Sequence, residues 1–218
     1  MNSVVIRRMA AGLFVCSLLG AVAWADGGVM DAQMRHTTAS DSTVRRSLVQ
    51  YVIPHVTLVR EDGKSVDLAA ELDDGRPVVV NFVYTSCTTI CPMSSQVFEQ
   101  FQEDLGAARD GVHLVSISID PEQDTPTRLR AYASKFHAAR DWNHYSGNVA
   151  ASVAVQRAFD AYRGDKMSHI PLTLIRAAPG KPWVRFDGFA RADDLMAEHK
   201  SWTLSPESLV ANEPVVAR

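Results

Sequence analysis

Two cysteines four residues apart, Cys87 and Cys91 in Tyr84-Thr85-Ser86-Cys87-Thr88-Thr89-Ile90-Cys91-Pro92, carry the most chemistry in this chain. Such a pair can close a structural disulfide, cycle between dithiol and disulfide, or hold a soft metal ion between two thiolates. At i and i+4 on a helical turn the two side chains point to one side, and in a loop ahead of the helix they can still approach within disulfide distance. A first helical turn has free N–H groups and a positive dipole end, which favour thiolate over thiol. Two thiolates on one side form a chelate for soft metals, notably Cu(I), whereas an oxidised pair has no thiolate to offer. Metal binding and redox state are therefore coupled. A purely structural bridge is the weaker reading, because closing so short a loop stabilises little.

Two sulfurs leave a copper ion short of ligands, so an imidazole is needed, and the chain has seven histidines. His169 lies in Lys166-Met167-Ser168-His169-Ile170-Pro171, just ahead of an apolar segment. A Cys-Cys-His set would be trigonal for Cu(I), and an added oxygen or water would suit Cu(II). His113, His137 and His199 read as ordinary structural residues, the first in a strand and the others on helices, while His55 and His144 are left open. Met93 and Met167 flank the motifs and are assigned to packing.

The elements that would position these groups follow from periodicity. The first 25 residues read as a signal peptide: Arg7 and Arg8 form a basic start, Met9 to Gly20 are uncharged, and Ala23-Trp24-Ala25 is a small-x-small cleavage pattern. The uncharged run is shorter than the roughly 20 apolar residues that span a bilayer comfortably. Cys16 would leave with it. Residues 26–47 read as a linker, 48–204 as the folded domain and 205–218 as a loose tail. Within the linker, Met30, Met34 and His36 read as ordinary tail composition.

In the domain, Tyr51 to Arg60 and Lys64 to Asp67 form an N-terminal β-hairpin about Glu61-Asp62-Gly63. Leu68 to Leu72 makes a short helix. Val78 to Tyr84 is a buried strand, and Met93 to Leu105 carries a helical stripe of Val97, Phe98, Phe101 and Leu105. Val112 to Ile119 is a second buried strand, and Asp124-Thr125-Pro126 starts a helix that ends near His137. A further helix spans Val149 to Tyr162. Strands at Ile170 to Ile175 and Trp183 to Phe186 and a closing helix, Arg191 to Trp202, complete the order. This is the thioredoxin-like α/β order, a central mixed sheet flanked by helices with the dithiol after the first core strand.

The formal charge is −3, or −5 once Arg7 and Arg8 are removed with the signal. A mildly acidic surface argues against nucleic acid or anionic lipid as partner, and membrane contact requires a retained N-terminal segment. Export places the pair in an oxidising compartment, where dithiol chemistry is at home.

Val80-Asn81-Phe82-Val83-Tyr84-Thr85-Ser86-Cys87-Thr88-Thr89-Ile90-Cys91-Pro92 resembles the signature of the Sco (SenC) proteins. Ser116-Ile117-Ser118-Ile119-Asp120-Pro121-Glu122-Gln123-Asp124-Thr125-Pro126 is similar to their second motif, and His169 stands where their copper-ligand histidine does. The resemblance covers residues 50 to 203. It implies a copper ion held by Cys87, Cys91 and His169. It also implies delivery of copper to, or upkeep of the cysteines of, the copper centre in an oxidase subunit or another cuproprotein. A periplasmic location, with or without an inner-membrane anchor, goes with it.

The chain departs from that pattern at Ser168, where Asp commonly precedes the histidine and would orient the ring. Pro171, two residues past His169, is similar to the proline that faces the dithiol in thioredoxin-type reductases. Those enzymes carry two residues between their cysteines; here there are three, a wider loop with room for an ion. The competing function is a thiol:disulfide oxidoreductase without obligatory copper, in which Cys87 attacks, Cys91 resolves and a thiol reductant protein regenerates the pair. A third reading, a peroxidase, takes Thr88-Thr89-Ile90-Cys91 as a Thr-x-x-Cys motif, but Tyr84 stands where that motif's Pro belongs.

Overall fold

Six consecutive residues, Val78–Val83, are buried on both faces of the sheet. That is the signature of a strand covered by helices on each side. In a computed structural model, which describes residues 44–203, this strand is β4 of an eight-stranded mixed sheet. The strands are β1 (Arg45–Val49), β2 (Thr57–Arg60), β3 (Ser65–Asp67), β4 (Val78–Val83), β5 (His113–Ser118), β6 (Trp142–Ser146), β7 (Leu172–Arg176) and β8 (Trp183–Asp187). The helices are α1 (Leu68–Leu72), α2 (Ile90–Leu105), α3 (Pro126–Lys135), α4 (Val149–Ala158) and α5 (Ala192–Thr203). Short 3-10 turns occupy Gly106–Gly111 and Lys166–Ser168.

The strand order is β1-β8-β7-β4-β5-β6-β2-β3. Strands β4, β5 and β6 run parallel, whereas β7 pairs antiparallel with β4. Helices α1 and α4 cover one face, where Leu72 and Val155 meet Val80, Phe82, Ile117 and Leu174. The other face is covered by α2, α3 and α5, whose Phe98, Phe101, Tyr132 and Leu195 meet Val79, Leu114, Trp142 and Ile175. Strand alternation divides the two sets.

Start signals act where the sequence places them. The Thr125 hydroxyl accepts from the Arg128 N–H at 3.3 Å with Pro126 in the first turn of α3, and Asn148 Oδ1 accepts from the Ala151 N–H at 2.8 Å to cap α4. Among the described residues no helix is long and apolar enough to cross a membrane. The signal peptide, most of the linker and the tail from residue 205 lie outside the described residues.

Two strands depart from the sequence reading. β1 begins at Arg45, inside the segment read as linker, and pairs with β8 from Arg45↔Asp187 to Val49↔Trp183. Its Arg-Arg-Ser-Leu-Val shows no alternation because an edge strand needs only its backbone; Arg45 pairs with Asp187 and Arg46 with Glu198. β6 was not expected at all, since Trp-Asn-His-Tyr-Ser lacks an aliphatic run. It is nevertheless buried between β5 and β2. His137 likewise lies just beyond α3, in the left-handed region at φ 48°, where its Nδ1–H donates to Glu99 Oε1 at 2.6 Å.

Register explains why β6 carries a buried histidine. Thr173, Asn81, Ser116 and His144 stand side by side across β7, β4, β5 and β6. They form a polar row in an otherwise apolar layer. Trp142 Nε1 donates to Ser116 Oγ at 2.9 Å, but both ring nitrogens of His144 and the Asn81 amide lack partners among the described residues. His144 stacks on Trp142 and is wholly buried, and burial drives its ring from 6.5 down to about 3.

Between those values the unfolded chain binds a proton that the folded one does not, so stability falls as the pH drops from 6.5 toward 3. At pH 5 the loss from this residue is about 2 kcal/mol relative to pH 7. Urea denaturation at the two pH values is expected to show His144→Phe losing less stability than wild type by that amount, and equal losses would refute it.

Candidate metal centre

Strand β4 ends at Val83, and the chain turns so that the Cys87 N–H donates to the Tyr84 carbonyl at 3.1 Å. Cys91 falls in the first turn of α2, which starts three residues earlier than its apolar stripe suggests. The Cys91 N–H donates to Cys87 Sγ at 3.4 Å. Both cysteines are free thiols, and they pack with Val83, Tyr84, Ile90 and Ile119.

The two sulfurs are chemically unequal. Burial opposes ionisation of Cys87, but donors from the Cys91 and Thr89 backbones, the Cys91 thiol and the Tyr84 hydroxyl outweigh it and bring Cys87 down to about 7. Cys91 is completely buried, and that burial together with the Cys87 sulfur pushes its thiol far up. As the pH rises through about 7, Cys87 therefore ionises while Cys91 stays a thiol. A peroxidatic Cys91 is at odds with a sulfur both inaccessible and protonated.

A buried carboxylate fixes the turn that presents Cys87. Asp124 accepts from the Thr85 hydroxyl at 2.6 Å, the Thr85 N–H at 3.2 Å and the Ser118 hydroxyl at 2.6 Å. It therefore links the end of β4 to the end of β5. Of the two capping candidates in Asp124-Thr125-Pro126, Thr125 caps α3 and Asp124 holds the cysteine loop.

His169 sits just past the 166–168 turn, and its Nε2 lies 3.0 Å from the Phe82 carbonyl oxygen. A carbonyl only accepts, so the proton is on Nε2 and Nδ1 keeps a lone pair. Burial lowers the ring below its usual range, which keeps it neutral and able to ligate. The Phe82 carbonyl thereby supplies the orientation that Ser168 does not. Lys166 pairs with Asp120, tying the histidine turn to the β5–α3 loop.

The structure brings Cys87 and Cys91 together. His169 lies beside the strand that leads to them, but among the described residues no three His, Cys, Asp or Glu side chains cluster closely enough to hold a metal ion. The two donors on the pair suit a soft ion, and a third must be drawn in. His113 hydrogen-bonds Asn143 and Tyr145, His55 pairs with Asp67, and His199 meets Trp202 edge to face, all apart from the pair.

Met93 and Met167 correct the packing assignment: both are exposed, Met167 to 74%. Met93 sits on an exposed position of α2, and Met167 on the short turn at residues 166–168. The motif around Asp120 and Asp124 reads as shaping a loop near the site, and Asp124 does hold the cysteine loop. Tyr84 and the Phe82 carbonyl do not read as site groups, and a backbone carbonyl has no sequence signal.

A dithiol delivered by a buried parallel strand to the first turn of a helix, in a mixed sheet with helices on both faces, defines a thioredoxin-like thiol protein. Within that class the chain belongs to the SCO1/SenC family, whose model matches residues 45–202. It is 32% identical over 164 residues to a SCO1 protein homolog of Bacillus subtilis, covering 70% of this chain and 83% of that one. BsSco, described as a Sco-family cytochrome c oxidase assembly protein with a disulfide switch, superposes with TM-score 0.60 at 26% identity, covering 73% of this chain and 98% of its own. Copper-bound ScoI of Bradyrhizobium japonicum gives TM-score 0.59 at 25% identity over 69% of this chain and 99% of its own.

Two measurements test this site. Iodoacetamide alkylation of the reduced protein is expected to titrate at Cys87 with a midpoint near 7, while Cys91 stays largely unmodified through pH 9 in the folded state; equal reactivity would refute the asymmetry. Asp124→Ala strands donors of Thr85 and Ser118 and is expected to cost about 2–4 kcal/mol by chemical denaturation. A cost near zero would remove Asp124 as the anchor of the loop.

Proposed function

We propose that this protein is an exported copper metallochaperone that captures copper at Cys87 and Cys91 with His169 as third ligand, and passes it to a cuproprotein acceptor such as the copper-centre subunit of cytochrome c oxidase. The observation that carries this reading is the buried pair of free thiols at the first turn of α2, with the Cys91 N–H donating to Cys87 Sγ, and His169 held on the strand that leads to them. Copper held by a similar domain, ScoI of Bradyrhizobium japonicum, supports it, as does the assembly role ascribed to BsSco. The secretory pattern at Arg7, Arg8 and Ala23-Trp24-Ala25 supports export to the periplasm, with or without an inner-membrane anchor.

Copper is cargo here, bound and then released. Capture starts at the Cys87 thiolate, and Cys91 gives up its proton as its sulfur joins. His169 brings a neutral nitrogen without further proton release. An acceptor's thiolates then take the ion by ligand exchange. Metal analysis and absorption spectra of wild type, Cys87→Ala, Cys91→Ala and His169→Ala test the ligand set. Each variant is expected to retain much less copper than wild type, and equal retention in all four would discard it. Cu(I) loading is also expected to release about one proton at pH 8 and about two at pH 6, because Cys87 is already ionised at the higher pH.

The second reading, a thiol:disulfide oxidoreductase that maintains an acceptor's cysteines, is favoured by the asymmetry of the pair. The slightly accessible Cys87 sulfur attacks and the fully buried Cys91 thiol resolves. The disulfide switch described for BsSco is in keeping with it. Fast reduction of a client disulfide, together with weak copper binding unchanged in His169→Ala, would select this reading.

A further inference from the structure

The methionine that the fold leaves uncovered stands where a copper pathway would begin. Met167 is 74% exposed, yet its backbone is held from both sides. Its N–H donates to Asp165 Oδ1 at 2.9 Å, the Ser168 N–H donates to the Asp165 carbonyl at 3.0 Å, and Lys166 is paired with Asp120. An unbranched apolar side chain would ordinarily fill a gap in the core, and here it is presented to solvent from a fixed turn.

Its sulfur is directed at the site. The Tyr84 hydroxyl donates to Met167 Sδ at 3.7 Å, and Tyr84 itself packs against Cys87 and Cys91. The same hydroxyl interacts with the Cys87 sulfur. Tyr84, three residues before Cys87, thus stands between that sulfur and the thioether of Met167, which itself precedes His169 by two residues. Exposure falls along the series: Met167 at 74%, Cys87 at 7% and Cys91 at 0%. An ion arriving from solvent or leaving for an acceptor meets the thioether first.

We propose that Met167 Sδ is a transfer ligand for Cu(I) at the mouth of the Cys87–Cys91 pair. Resting on the copper reading above, this adds a donor outside the Cys-Cys-His set and an oxidation-state preference. A neutral thioether is a soft donor that favours Cu(I), whereas Cu(II) prefers nitrogen and oxygen. No electron is transferred in the step. One Cu–S bond to Met167 forms as a solvent or donor ligand leaves, and it breaks as an acceptor's thiolate takes the ion.

The test compares wild type, Met167→Leu and Met93→Leu, all reduced and full length, in competition with a chromophoric Cu(I) chelator and separately in Cu(II) titration. Met167→Leu is expected to weaken Cu(I) binding about tenfold or to slow loading by that factor, with Cu(II) affinity and thermal stability unchanged. Met93→Leu, at an exposed position of α2, is expected to behave as wild type. Selenomethionine-labelled protein should show a copper–selenium distance in X-ray absorption, and that signal should vanish in Met167→Leu. If wild type binds Cu(I) and Met167→Leu binds and loads identically, Met167 has no such role and the copper reading stands. If wild type takes up no copper, both fall.

Discussion

The cysteine loop depends on one buried carboxylate. Strands β4 and β5 run parallel, so their ends open to the same side of the sheet, and nothing in the ladder itself fixes the loops beyond them. Asp124 closes that gap by collecting the backbone and hydroxyl of Thr85 and the hydroxyl of Ser118. A carboxylate with three donors is far better satisfied than a buried charge left alone. The first turn of α2 can then aim its amides at a sulfur that does not wander. The lowered Cys87 thiol is a product of that alignment, and burial raises Cys91 beneath it.

A second clamp works from the other direction. Lys166 and Asp120 join the histidine turn to the loop that follows β5, and the Phe82 carbonyl receives the imidazole. Both clamps converge on the segment between β5 and α3, whose residues Asp120 and Asp124 therefore serve the histidine turn and the cysteine loop respectively. The motif around Ser118 to Pro126 is a brace for two functional segments, which explains why it carries so many short polar side chains.

Much of this was legible in the sequence, for reasons that can be stated. The all-apolar Val78 to Val83, the stripe on α2 and the cap before Pro126 are local patterns, and each one forms as read. The strand β6 was not legible, because Tyr145 and Trp142 are buried by neighbours from distant parts of the chain and His144 reads as polar. β1 was hidden because edge pairing spends backbone groups rather than side chains. At the site, Cys87, Cys91 and His169 could be named from spacing and resemblance. The split between the thiols, the carbonyl behind the ring and the exposure of Met167 arise from three-dimensional arrangement and have no one-dimensional trace.

The bond between His169 and the backbone of Phe82 also sets a tempo. A ring that pivots away from that oxygen leaves a buried carbonyl unsatisfied, at roughly 1–3 kcal/mol, which corresponds to a five- to hundredfold rarity of the swung-out state. A ring that stays latched can meet an incoming ion only if the sulfurs carry it to Nδ1. In the copper site proposed above the imidazole would therefore bind last and leave first, its latch being a main-chain oxygen that no side-chain substitution at Phe82 can erase.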